Sequence, residues 1–156
     1  MEPDLIIGFS DIQADLAAKL IKANQQVIIF NQRSIEEILE VILTIGRIVS
    51  AEDKAEKLVE NYRISIEEAR LKAKSFDRRP RVYFEEWDDP TFSAIRWVSE
   101  LIDIAGGIDV FSEKSHGKLA VERKINWSDV VERNPDIILA SWLSLIHISE
   151  PTRQSP

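Results

Sequence analysis

Apolar positions along this chain alternate between runs of strand length and stripes at helical spacing. DLIIGF (Asp4 to Phe9) is a continuous apolar run, suited to a sheet covered on both faces. Ser10 with Gln13 three residues later has capping-box spacing and predicts a helix reaching about Ala23. VIIF (Val27 to Phe30) predicts the next short strand. Strand, helix and strand within about 30 residues predict a parallel βαβ unit. Ser34 and Glu37 form a second capping box, followed by Ile35, Ile38, Ile42, Ile45 and Val49 at helical spacing. Ser50 with Asp53 opens a new helical run after Gly46.

From Ala51 to Phe76 there is neither proline nor glycine. Ala51, Ala55, Leu58, Tyr62, Ile66, Ala69, Ala73 and Phe76 step by three or four and make one apolar stripe. Such a helix spans about 39 Å, more than a small βα lobe needs to cross its own sheet. It is a coiled-coil segment or a strut between lobes, and the βα patterns on both sides favour the strut. After it come a strand in RVYFEE, an acidic loop, and a helix from Ala94 to Ala105 with Ile95, Val98, Leu101, Ile102 and Ala105 on one face. Gly106 and Gly107 stop that helix as a left-handed C-terminal cap does. Ser112 to Lys118 reads as a loop, WSDVVERN as a short helix with Ser128 at its cap, and PDIILASW as a strand.

PDLIIGFS (Pro3 to Ser10) is echoed by PDIILASW (Pro135 to Trp142) on the far side of the long helix. The expected fold is therefore α/β: two βα lobes with parallel sheets bridged by a single long α-helix, both lobes incomplete. Residues 1–49 are the remainder of an N-terminal lobe, 50–76 the bridging helix and 77–142 part of a C-terminal lobe. LSLIHISEPTR (Leu143 to Arg153) reads as the translation of a sequencing-library adapter, so residues 143–156 are expected to be a read-through tail. The opening MEPDLIIGF enters a buried-type strand almost at once, which predicts that the natural chain begins further upstream.

Composition narrows the function. The net charge of -7 disfavours a nucleic-acid backbone as partner, because nothing here would release its counterions. There is no cysteine, which excludes disulfides and thiolate metal sites. No apolar run of about 18 residues is present to cross a membrane as a helix, and no basic-then-apolar leader opens the chain. No GxSxG elbow, GxGxxG loop or P-loop occurs. His147 lies in the tail and His116 sits in the loop SHGK, so a catalytic triad or zinc site would be starved of ligands.

The candidate chemistry lies in loops. YFEEWDDP places Glu85, Glu86, Asp88 and Asp89 around Trp87. These acids suit a hard cation in type, but they come in adjacent pairs without the glycine of a calcium loop, and on an extended segment alternate side chains diverge. The loop leaves the carboxyl end of a strand, where α/β sheets bind ligands. GFSD (Gly8 to Asp11) and FNQR (Phe30 to Arg33) do the same. If the lobes face each other, one cleft contains Phe9, Ser10, Asn31, Gln32, Arg33, Glu85, Glu86, Trp87 and Asp88. That mixture suits a large, polar, ring-containing ligand. Of Glu85 and Glu86, alternation turns one toward the cleft and leaves the other solvated. Arg33 has a plainer reading as the complement of Glu36 and Glu37 in its own helix.

Taken in order, PDLIIGFSDIQADLAAKL, FNQRSIEEIL, the long helix, RPRVYFEEWDDP, RWVSELIDIAGG and RNPDIILASW resemble the substrate-binding proteins of ABC importers for cobalamin and iron–siderophores, over nearly all of Pro3 to Trp142. The resemblance implies a non-catalytic, monomeric protein outside the cytoplasm, free in a periplasm or lipid-anchored. It would capture a corrinoid or ferric chelate between two lobes, without a resident cofactor, and deliver it to a membrane permease. It implies that Phe9 stacks on ligand, that Trp87 and its acids form a cleft loop, and that Arg123, in LAVERKI, approaches ligand. Asp15 and Asp129 fall where the family pairs one acid per lobe with permease arginines; the family's best-known members have glutamate there, and both also read as plain surface acids. Two other readings stand beside this one: a metal-binding or chelatase-like α/β protein using the Glu85–Asp89 loop, and a structural coiled-coil adaptor.

Overall fold

The computed structural model describes residues 3–10, 13–87 and 89–141. The expected tail, Asp88 and the end of the PDIILASW strand thus lie outside the described residues. The chain divides into two compact units, Met1–Tyr62 and Arg63–Pro156.

In the first unit, β1 (Ile6–Phe9) and β2 (Val27–Phe30) pair in parallel, Ile6 opposite Val27 and Phe9 opposite Phe30, with α1 (Ala14–Lys22) between them in sequence. This is the expected βαβ unit. The predicted Ser10 cap does not form. Ser10 adopts φ 72, and α1 starts after Gln13 with no side-chain cap. Gln13 instead turns back, and its Oε1 accepts the Phe9 amide at 2.9 Å. The second box does form: Ser34 Oγ accepts the Glu37 amide at 3.2 Å, and Glu37 Oε2 accepts the Ser34 amide at 2.9 Å. It opens α2 (Ile35–Ile48).

Gly46 does not end α2; it lies within its last turn. A Cβ built there would stand 2.4 Å from the Cβ of Ala55 in α3 (Glu52–Ala73). The two helices touch backbone to side chain at this point. Gly46→Ala gains helix propensity worth about 1 kcal/mol but forces the contact apart, at about 1–3 kcal/mol. We expect a net loss of up to about 2 kcal/mol, read by circular dichroism in a thermal melt. The helix α3 has 22 residues, about 33 Å, and is shorter at its C-terminal end than the stripe predicted. Ser50 adopts φ 53 in the turn before it.

The second unit holds a three-stranded parallel sheet, in the order β4 (Ile108–Asp109), β3 (Arg81–Glu85), β5 (Ile137–Ala140). β4 is two residues long and had no visible periodicity. Gly106, at φ 85, ends α4 (Arg96–Ile104) in the left-handed conformation that glycine tolerates, and the chain turns directly into β4. Strand β3 is covered on both faces in strict alternation. Val82 and the half-buried Phe84 pack on Ala94, Val98 and Ile102, whereas Tyr83 packs on Val110, Phe111, Ile125 and Val130. The edge strand β5 keeps Ile137, Ile138 and Leu139 open to solvent, and β1 leaves Ile7 and Phe9 exposed, contrary to the double cover that DLIIGF predicts. The predicted loop from Ser112 to Lys118 contains a short 3-10 turn at Ser112–Lys114, and a second one follows it at Ala120–Arg123. The helix α5 (Trp127–Arg133) is capped by Asn126 rather than Ser128, with Asp129 Oδ2 accepting the Asn126 amide at 3.1 Å.

The aspartate of the PDIILASW echo has a defined task. Asp136 Oδ2 accepts the Arg81 amide at 2.7 Å, and Arg78 Nη1 donates to the same carboxylate at 3.1 Å, fastening the start of β5 to the start of β3. These contacts, the backbone bond foremost, hold its carboxyl below the usual aspartate range. A depressed folded value makes the contribution complete above about pH 4 and lost as pH falls below it. Urea midpoints should therefore drop on acidification. Asp136→Asn, which keeps an acceptor but cannot titrate, should show a shallower drop.

Candidate functional site

In the first unit the predicted residues cluster at the carboxyl ends of β1 and β2. Phe9 is 64% exposed, a large apolar ring held in water at the end of a strand. Ser10 follows it, and its amide donates to the Phe30 carbonyl at 2.7 Å. Asn31 is exposed, while Gln32 and Arg33 are half-buried. Gln32 Oε1 is buried with no hydrogen-bond donor among the described residues. The Arg33 amide donates to Glu37 Oε2 at 2.5 Å, so Glu37 secures the backbone of this loop as well as the helix start.

In the second unit the two glutamates of the acidic loop separate as strand alternation requires, but neither is simply solvated. Glu85 is 2% exposed, and the Tyr83 hydroxyl donates to its Oε2 at 2.9 Å. Tyr83 and Glu85 are two apart on one strand and so share a face. Burial, reinforced by that hydrogen bond, keeps the Tyr83 phenol protonated well above its ordinary range. It therefore remains a donor to the carboxylate.

Glu86 lies on the other side and meets Arg123. The Arg123 guanidinium donates to the Glu86 carboxylate from both terminal nitrogens, through Nη2 at 3.3 Å and more closely through Nη1. Nη1 also donates to the Ser93 carbonyl at 2.6 Å. In return, the Ser93 amide and hydroxyl donate to the Arg123 carbonyl at 3.0 and 3.1 Å. The Arg123 side chain is 3% exposed and that of Glu86 39%. Arg123 lies in a charged run, VERK, and is buried because its contacts with Glu86 and Ser93 close over it.

Between these anchors the segment from Glu86 to Ser93 doubles back on itself. The Glu86 amide donates to the Phe92 carbonyl at 3.0 Å and the Phe92 amide to the Trp87 carbonyl at 3.4 Å. Phe92 also bridges to Lys124, and the Ile125 amide donates to the Thr91 carbonyl at 3.1 Å. Trp87 sits near the tip. Its Nε1 donates to the Asp89 carbonyl at 3.1 Å, which ties down the ring edge while the side chain remains 36% exposed. A tied edge and an open ring are what a stacking platform requires.

Asp15 is exposed in the first turn of α1, and Asp129 is half-buried as an acceptor at the start of α5. Ser93 and Tyr83 were not singled out from sequence. The period of two in RVYFE was the available signal for Tyr83 and Glu85; Ser93 had none. Among the described residues no group of three or more His, Asp or Glu side chains is placed to hold a metal ion.

A parallel α/β architecture whose exposed aromatics stand at strand ends defines a binding fold. The chain belongs to the periplasmic binding protein family, whose model matches residues 1–155. Its fold resembles that of an ABC transporter substrate-binding protein from Listeria monocytogenes (TM-score 0.73, 21% identity, covering 90% of this chain and 54% of that one). It also resembles IsdE of S. aureus, solved in complex with heme (TM-score 0.71, 20% identity, 92% and 55%). A third is the periplasmic vitamin B12 binding protein BtuF of Vibrio cholerae (TM-score 0.65, 19% identity, 94% and 56%). The chain thus spans about half the length of the solved structures it matches. No curated protein sequence matches it at a comparable level of significance.

Proposed function

We propose that this chain is part of an extracytoplasmic substrate-binding protein of an ABC importer. It captures a planar or ring-containing metal chelate for delivery to a permease. The observation that carries this reading is Trp87: an open indole whose edge is fastened to its own loop, at the carboxyl end of the central strand of a parallel sheet. Phe9, at the end of β1, is a second open aromatic of the same kind. Family membership supports the transport role. The ligands named for similar folds, heme and vitamin B12, support the chelate class and add heme to the corrinoids and ferric siderophores that the sequence suggested.

The contacts of the acids weigh against the metal-site alternative. Glu85 is engaged by Tyr83 and Glu86 by Arg123, so neither offers a free carboxylate to a cation. They equally remove Glu85 and Glu86 from the first choice of direct ligand contacts, and leave Trp87, Asp88, Asn31 and Gln32 as the better candidates. Asp15 remains the better candidate for permease docking, since the Asp129 carboxylate already accepts the Asn126 amide at the start of α5.

The reading is tested by tryptophan emission during titration with cyanocobalamin, heme and a ferric siderophore in parallel. We expect saturable quenching by one of them, and a loss of about 1–3 kcal/mol of binding free energy in Trp87→Ala. Unchanged affinity in the variant would remove Trp87 from the site.

A further inference from the structure

The resemblance implies that Arg123 approaches the ligand, yet its side chain is 3% exposed and both terminal nitrogens donate to the protein, while Nε is buried without an acceptor among the described residues. We propose that Arg123 is a positioning residue that clasps the two ends of the Glu86–Ser93 loop and thereby fixes the face Trp87 presents, without contacting ligand itself. One guanidinium reaches Glu86 at the start of the loop and the Ser93 carbonyl at its end. The Arg123 carbonyl receives both donors of Ser93 from the other direction. The loop is thus fastened at both ends to one residue, and Phe92 to the next, Lys124. Arginine suits this task because its planar fork can serve two acceptors in fixed directions, whereas a lysine ammonium is a single point charge on a flexible stem.

The link from loop order to ligand rests on the chelate-binding reading; the clasp itself does not. The test is therefore first made without ligand, by hydrogen exchange on Arg123→Lys. The amides of Glu86, Phe92 and Ser93 should exchange roughly tenfold faster, as a lost charge-assisted hydrogen bond allows local opening. The amides of Val110 and Ser141, bonded to β3 at the Val82 and Glu85 carbonyls, should accelerate distinctly less, by the loss of global stability alone. Unchanged loop exchange would overturn the proposal. So would uniform acceleration across the unit, which would make Arg123 a contributor to general stability only. If Arg123→Lys does not fold, Glu86→Gln, which keeps side-chain shape and removes the charge, should give the same local pattern to a smaller degree, and its failure to do so overturns the proposal equally.

For a chelate that binds the natural chain, Arg123→Lys should slow association, because fewer loops are in the competent form. Faster dissociation with normal loop exchange would instead make Arg123 a ligand contact. Absence of chelate binding would strike the proposed function and leave the exchange result standing.

Discussion

Tyr83→Ala should lower the stability of the second unit by about 3–5 kcal/mol. Tyr83 is completely buried at the centre of the sheet. Its ring meets Phe111 edge to face at 5.6 Å and Trp127 at 6.2 Å, so truncation opens a cavity beside both rings and removes these contacts. A second cost adds to the cavity. The Tyr83 hydroxyl is a donor to Glu85, itself 2% exposed, and a buried carboxylate deprived of a donor loses about 1–3 kcal/mol. Tyr83→Phe isolates that second part, because it keeps the ring. Urea denaturation followed by tryptophan emission reads the right unit, since Trp87, Trp97, Trp127 and Trp142 all lie beyond Tyr62. A Tyr83→Phe midpoint equal to that of the natural chain would mean that Glu85 does not depend on the Tyr83 hydroxyl.

Arg123→Ala should cost about 2–3 kcal/mol. Breaking a fully buried ion pair costs more, but Glu86 keeps 39% of its side chain in water and can rehydrate. What remains is the Ser93 carbonyl stripped of its charged donor, and the loss of packing along the arginine stem. Arg123→Met retains most of the stem and should recover part of the loss. The same emission-detected denaturation measures both variants. A loss below about 0.5 kcal/mol for Arg123→Ala would place the pair among surface ion pairs, which contribute little.

The alternation and capping rules carried most of the fold. The parallel β1–β2 pair, the α2 capping box and the Gly106 stop all follow from local spacing. Ser10 failed as a cap although its spacing to Gln13 was right, because the chain leaves β1 through a left-handed residue and Gln13 finds the Phe9 amide instead. Asn126, two residues ahead of the predicted cap Ser128, takes that role because Asp129 lies three residues after it. β4 was invisible for a different reason. Two residues carry no period, and its place is set by pairing with Arg81 and Val82 rather than by its own sequence.

The site was legible as loops but not as contacts. Trp87 and Phe9 stand out from sequence because large aromatics follow strand-type runs. The partnership of Arg123 with Glu86 joins residues 37 positions apart, and a charged run such as VERK gives no local sign of burial. Period-two reasoning was correct that Glu85 and Glu86 diverge, and it could not show that each would find a protein partner.

The central claim is that this chain carries a chelate-binding surface. The most direct measurement is ultrafiltration of the chain with heme, cyanocobalamin and a ferric siderophore in turn, reading retained chelate by its visible absorption. The account predicts that one of the three is retained in a saturable manner, close to one per chain, and that Trp87→Ala reduces the retention. Retention of none of them, by a chain that circular dichroism shows to be folded, would contradict it.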